Sequence, residues 1–403
     1  MSRLSDKLKL LGVQIGARDL PSPQERNPHA IEHVVPGRFV ETACGRAFVV
    51  EASYPLDHMQ GRYSLRVEAS LSTIAAWAGE PRLAQMAPAA FAFLDTETTG
   101  LARGTGTYAF MVGVGRYEGD ALHVAQFFMR DPAEEPALLT ALTEFLQPCQ
   151  ALVTFNGKGF DIPLLEIRYV TNGADSPFSS LAHLDLLPLA RRLWRYRLAS
   201  RALGSLEEHI LGLPREEQDV PGWLIPTLYF DYLRDQDARP LKGIFYHNEM
   251  DVVSMAALLG HMADLLSDPF DPAVHALDLM GIGKLFQDLD DIENAVRVYR
   301  RGLGGELPPD VRWKMVERLS FLQKRCGSLD EAVALWEDAA EYGQLYAHVE
   351  LAKFYEHVQR DYACAAKWTQ RAIDLIGDSP YERQRWLADL EHRLARLHRK
   401  QQN

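Results

Sequence analysis

Apolar residues fall in short runs split by turn residues over most of the chain, and at helical spacing over its last third. Residues 1–37 are irregular, because Pro21, Pro23, Pro28 and Pro36 interrupt any helix. From Arg38 to Glu51, two β-rich runs flank Cys44-Gly45 and predict a hairpin. The run Phe91-Ala-Phe-Leu94 ends in Asp95-Thr-Glu-Thr-Thr-Gly100 and predicts a buried strand. Tyr108 to Tyr117 and Ala121 to Met129 predict two more strands, joined by the turn Glu118-Gly-Asp120 in an antiparallel meander. A helix follows over Glu134 to Leu146, then a fourth strand over Ala151 to Phe155, which pairs parallel to the first. His183 to Leu187 reads as a fifth strand, Pro188 to Arg197 as a helix, and Leu203 to Leu211 as a short helix. Pro214 to Pro226 reads as a loop and Asp231 to Arg239 as a charged stretch; Phe245 opens a long helix.

After Pro269 the strand signal ends. Asp291-Ile-Glu-Asn-Ala-Val-Arg-Val-Tyr299 is echoed by Leu329-Asp-Glu-Ala-Val-Ala-Leu-Trp336, and more weakly by Tyr362-Ala-Cys-Ala-Ala-Lys-Trp368. Tyr299, Trp336 and Trp368 stand 37 and 32 residues apart, which brackets the tetratricopeptide period of about 34. A helical array of this kind buries a continuous core and leaves a concave face for a protein partner or substrate. The tail from Tyr381 to Asn403 reads as a charged capping helix. Three parts follow: an extension with a hairpin over 1–88, a mixed α/β domain over 89–265 and a helical repeat domain over 266–403.

Composition narrows the class. With 403 residues, 47% hydrophobic and 24% charged, the chain has the make-up of an ordinary globular protein. No run of 18 apolar residues is present, so no membrane contact is expected. Cys44, Cys149, Cys326 and Cys364 are scattered, and the first residues lack a signal peptide's apolar core. Both features point to a reducing cytoplasm. The net charge of −12 divides into about +1 over 1–90, −8 over 91–262 and −5 over 263–403. That distribution counts against a broad nucleic-acid-coating surface, so any such grip is local.

The acidic middle holds the candidate chemistry. Asp95 and Glu97 sit two apart on a strand and share a face. Like charges so close favour a hard cation between them, or mark a surface turn. Asp161 ends Asn156-Gly-Lys-Gly-Phe-Asp161, where it caps a helix or serves a site at the strand's carboxyl end. Lys158 in that turn faces a phosphate or the solvent. His247 and Asp251 are four apart on one helix face, as a surface pair or as a general base beside a metal ligand. Arg191, Arg192, Arg195, Arg197 and Arg201 interleave with Trp194 and Tyr196, forming either a phosphate grip or a solvated face. Asp57 and His58 belong to a polar turn in Tyr54-Pro-Leu-Asp-His58 that is either a plain loop or an arm toward the site.

Together the stretches Asp95-Thr-Glu-Thr-Thr-Gly-Leu101 with Gly104-Thr-Gly-Thr107, Asn156-Gly-Lys-Gly-Phe-Asp161, Asp185-Leu-Leu-Pro-Leu-Ala-Arg191 and Tyr246-His-Asn-Glu-Met-Asp251 resemble the DEDD exonucleases of the RNase H-like superfamily. The closer resemblance is to the bacterial YprB-type RNase H-like domain, and it covers roughly residues 91–262. It implies a mixed five-stranded sheet with flanking helices and a hydrolase using two Mg²⁺ or Mn²⁺ ions. Asp95, Glu97 and Asp251 would hold one ion and Asp95 with Asp161 the other. Thr98, Thr99 and Leu101 would lie near the terminal nucleotide, and Asp185 is not a ligand in this comparison. The expected activity is 3′–5′ exonucleolytic cleavage; the rival is a silent nucleic-acid-binding or scaffold protein that recruits partners through its repeats. The general base lies between Tyr246, five before Asp251, and His247, four before; the shared helix face favours His247.

Overall fold

The structure is a computed structural model that describes residues 27–100, 106–213, 219–377 and 383–402. Its main sheet contains β1 (Gly37–Thr42), β2 (Gly45–Pro55), β5 (Phe91–Thr98), β6 (Ala109–Glu118), β7 (Ala121–Phe128), β8 (Ala151–Thr154) and β9 (Ala182–Asp185). Short β3 (Met59–Gln60) and β4 (Tyr63–Ser64) form a separate hairpin. The strand order is β1-β2-β7-β6-β5-β8-β9. β5, β6 and β7 form the expected antiparallel meander, and β8 and β9 continue it in parallel.

The five expected strands are present, but the sheet has seven. The hairpin expected outside the sheet pairs along β7 from Phe48↔Phe128 to Pro55↔Ala121. It covers an edge that would otherwise expose a row of unpaired amides. Two further boundaries differ. The fifth strand stops at Asp185, whose side chain accepts from Leu187 N at 3.0 Å and so starts the next helix, Leu186–Leu193. Residues read as loop and charged stretch form the helix Ile225–Asp235, which opens with Pro226 in its first turn.

The sheet is covered on both faces, and β5 shows why. Phe91 and Phe93 join one apolar cluster with the long helix Lys242–Ser267. Ala92 and Leu94 join a second with the helices Glu135–Leu146, Asp161–Thr171 and Ile225–Asp235. Strand alternation therefore turns Asp95 and Glu97 toward the long helix, and Thr96 toward the helix that begins at Asp161. The helical stretch Arg239–Ser267 is long and apolar enough to cross a membrane, yet 72% of its most apolar window is buried inside the molecule. That burial identifies it as a core helix.

The C-terminal region is helical as expected. Helices Ala276–Asp288, Ile292–Leu303, Pro309–Arg325, Leu329–Glu341, Leu345–His357 and Tyr362–Ile376 follow one another, and Ala388–Gln402 packs on the last of them. Tyr299 and Trp336 are core residues, whereas Trp368 is half-buried. Leu279, Leu285, Val298 and Met315 from this region share the apolar cluster of the long helix.

Candidate active site

The site forms at the carboxyl end of β5, where the helices of both faces meet. Asp95 and Glu97 arrive from β5, Asp161 from the first turn of its helix, and Asp251 from the long helix. Each placement has a local cause. The ladder between β5 and β6 shifts register between Glu97 and Thr98, which ends the strand's regular pairing. Thr96 donates from Oγ1 to Asp161 Oδ1 at 2.5 Å and ties the two elements together. Asp185 holds the intervening turn by accepting from Asn156 N at 2.8 Å and Lys158 N at 3.2 Å. With those amides and Leu187 N satisfied, Asp185 acts as a scaffold for the turn.

The long helix approaches the sheet closely because β6 carries glycines on that face. A Cβ at Gly113 would lie 2.1 Å from Asn248 Oδ1. Asn248 fills this space, fully buried. It donates from Nδ2 to Asp95 Oδ2 at 2.9 Å and accepts from Gln126 Nε2 at 3.0 Å. Gln126 also donates to the Phe245 carbonyl at 2.8 Å. The Asp95 carboxylate is thus aimed by an amide that is itself pinned.

His247 stands between two carboxylates. Its Nδ1 is 2.6 Å from Asp219 Oδ1, and its Nε2 is 3.7 Å from Asp251 Oδ2. A proton on Nδ1 satisfies Asp219 and leaves the Nε2 lone pair facing the cluster.

Electrostatically the site is overloaded with negative charge. Burial, then the charges of Asp251 and Asp161, hold Asp95 well above the usual carboxylate range. Glu97 is held up by burial and then by Asp95, Asp251 and Asp161. Burial pushes Asp161 up to about 6 against the opposing Thr96 hydrogen bond. Such a set is uncomfortable when ionised, and His247 opposes the rise at Asp95 only in part. Among the described residues, no group of three or more His, Cys, Asp or Glu stands close enough together to form a ready metal cage. The donor chemistry nevertheless fits a hard divalent cation, since four carboxylates from three elements face one strand end.

Not all of the other expected residues border this cluster. Thr98 donates from Oγ1 to the Gly100 carbonyl at 3.0 Å, and Thr99 Oγ1 accepts from Tyr108 N at 3.0 Å, so both shape the loop after β5. Leu101, Gly104 and Thr105 lie outside the described residues. The Lys158 side chain is exposed beside the turn, and its charge adds to the burial that pushes His183 down to about 4. Tyr54 donates to Glu249 Oε1 at 2.5 Å, and His58 packs on the Tyr54 ring at 4.8 Å. That motif therefore braces the side of the long helix and does not join the carboxylates. Arg192 pairs with Asp288 at 2.9 Å and Arg197 with Asp278 at 2.8 Å, while Trp194 is fully buried. The arginine-rich segment thus docks the helical region; Arg195 stays exposed.

Sequence reasoning missed Asp219, Asn248, Gln126 and Thr96. Asp219 lies in the proline-bearing loop and carried no periodic signal. Asn248 did carry one: it is polar on a helix face that continues into buried Val252.

Comparison with known proteins agrees with this fold. The pattern of the RNase_H superfamily matches residues 92–263, from β5 almost to the end of the long helix. Over 362 residues the chain is 33% identical to the uncharacterized protein YprB of Bacillus subtilis (strain 168), covering 87% of this chain and 85% of that one. A likeness so extensive takes in the helical region as well as the sheet, and the chain belongs to the YprB-type proteins of the RNase H superfamily.

Proposed function

We propose that this protein is a DEDD-type, metal-dependent exonuclease that hydrolyses phosphodiester bonds from a nucleic-acid 3′ end. The observation that carries the reading is the convergence of Asp95, Glu97, Asp161 and Asp251 on one strand end, where Asp161 and Asp251 disfavour ionisation of Asp95. Asp95, Glu97 and Asp251 would hold one Mg²⁺ or Mn²⁺ ion, and Asp95 with Asp161 a second; such ions supply positive charge for the attacking and leaving oxygens.

The chain's own groups do the rest. His247 takes the proton of the attacking water at Nε2, while Asp219 fixes the tautomer and stabilises the imidazolium that forms. Asn248 keeps Asp95 oriented. Thr98 and Thr99 border the terminal nucleotide, and Lys158 faces a phosphate.

The test is cleavage of 5′-labelled single-stranded DNA and RNA by the full chain with Mg²⁺, Mn²⁺ or a chelator. A ladder shortening from the 3′ end is expected only with metal. Asp95→Ala and Asp161→Ala should each lower the rate by about a thousandfold or more, because an electrostatic clamp on the reacting oxygens is lost. Undiminished cleavage in either variant overturns the assignment.

A further inference from the structure

Positive charge gathers at a seam between the arginine-rich segment and the C-terminal region. On one side lie Arg192 and Arg195, with Tyr196 next to them; on the other lie Lys284, Lys314 and Arg318 from the first and third helices of the C-terminal region. Asp288 pairs with both Arg192 and Lys284. Asp310 reaches Lys314 at 3.5 Å. Lys314 Nζ also stands 5.9 Å above the Tyr196 ring, and Arg318 donates to Gln287 Oε1 at 3.3 Å. Glu317 is half-buried between Arg318 and Arg385. Arg195 and Arg318 have no carboxylate in ion-pair range among the described residues.

These charges crowd one another. Burial, then Arg318 and Arg195, disfavour the charged form of Arg192. Burial, then Arg192 and Arg318, do the same for Lys284. A seam of under-neutralised cations with a half-buried aromatic ring in it suits a flexible polyanion whose bases can stack. Its place in the fold connects it to the site. Asp185, which holds the turn of Lys158, caps the helix that carries Arg192. Eight residues of that helix span roughly 12 Å, a distance of about three or four nucleotides in a stacked strand.

We propose that this seam, built jointly by the arginine-rich helix and the helical region, holds the phosphate backbone of a single-stranded nucleic acid several nucleotides from the end being cleaved. The helical region is then a substrate arm. The inference rests on the nuclease reading, but its test separates the two.

Binding of a fluorescent 20-nucleotide single strand to the full chain is measured by anisotropy across a salt series, and hydrolysis of a dinucleotide is measured alongside. Lys314→Gln with Arg318→Gln should weaken binding about tenfold and reduce the slope of log affinity against log salt by about 1.4, at roughly 0.7 per lost phosphate contact. Dinucleotide hydrolysis should stay unchanged. Asp288→Asn should instead tighten binding a few-fold, because it frees two cations; a misfolded variant cannot mimic that sign. An unchanged slope in the double variant, with cleavage intact, overturns the seam alone and leaves that surface to a protein partner. A wild-type chain that neither binds the 20-mer nor cleaves the dinucleotide overturns both readings.

Discussion

The two halves of this molecule bury carboxylates for opposite ends. In the helical region Glu356 is fully enclosed and accepts from Arg393 at 2.5 Å, Arg396 at 2.8 Å and Lys400 at 3.2 Å. Burial alone would raise its pKa, but the Arg396 and Lys400 hydrogen bonds and the charges of Arg396 and Arg393 outweigh it and bring it to about 2. Glu350 is lowered in the same way against burial by Lys324 and Lys353. In the sheet half Asp95 is half-buried and Glu97 buried, but they face other carboxylates, and both are raised. The first arrangement clamps the last helix of the chain to its neighbours. The second is destabilising unless a cation joins it, as expected of the proposed metal site.

Substitutions that act on one half alone sharpen this contrast. His247→Ala should cut turnover by about a hundred- to ten-thousandfold, as expected for loss of a general base, with metal binding nearly intact. Tyr246→Phe keeps the ring and should be mild. Steady-state rates at saturating substrate check the ranking, and an inactive Tyr246→Phe beside an active His247→Ala would give the base to the tyrosine. Next in size, Glu356→Gln should destabilise the chain by about 2–3 kcal/mol, because it leaves three cations around a neutral amide; urea unfolding measures this.

The smallest effect has the opposite sign. The folded pKa of Asp161, about 6, lies above its ordinary 3.8. The stability it contributes is therefore complete below about pH 4 and is lost as pH rises through 6. Asp278, also held near 6 by burial, adds to the loss in the same direction, so the comparison must be between variant and wild type. Metal-free Asp161→Asn should be more stable than wild type by about 1–2 kcal/mol at pH 7.5 and no more stable at pH 4. A destabilised Asp161→Asn at pH 7.5 would place its carboxylate with the structural ones.

Much of this was legible in the residues. The meander, the parallel strands and the carboxylate positions followed from apolar runs that end in acidic turns, because strand alternation is a local rule. The shared helix face of His247 and Asp251 followed from a spacing of four. What stayed hidden depends on contacts distant in sequence. The edge pairing of Val50 with Gln126 and the reach of Asp219 to His247 leave no periodic trace, and the polar place of Asn248 on its helix face does not disclose Gly113 as its seat. The arginine-rich segment was legible only in part for the same reason. Its charge pattern signals phosphate, but only the fold reveals Asp288 and Asp278 as its partners.

The central claim is that the sheet-end carboxylates await a divalent cation. Calorimetric titration of the full chain with Mn²⁺ at pH 7, repeated in two buffers of different ionisation heat, tests it most directly. Ligating carboxyls whose pKa values are raised must give up protons when metal binds. The account predicts saturable uptake with proton release in the wild type and loss of that uptake in Asp95→Ala. An absence of uptake, or equal uptake without proton release in both chains, would contradict it.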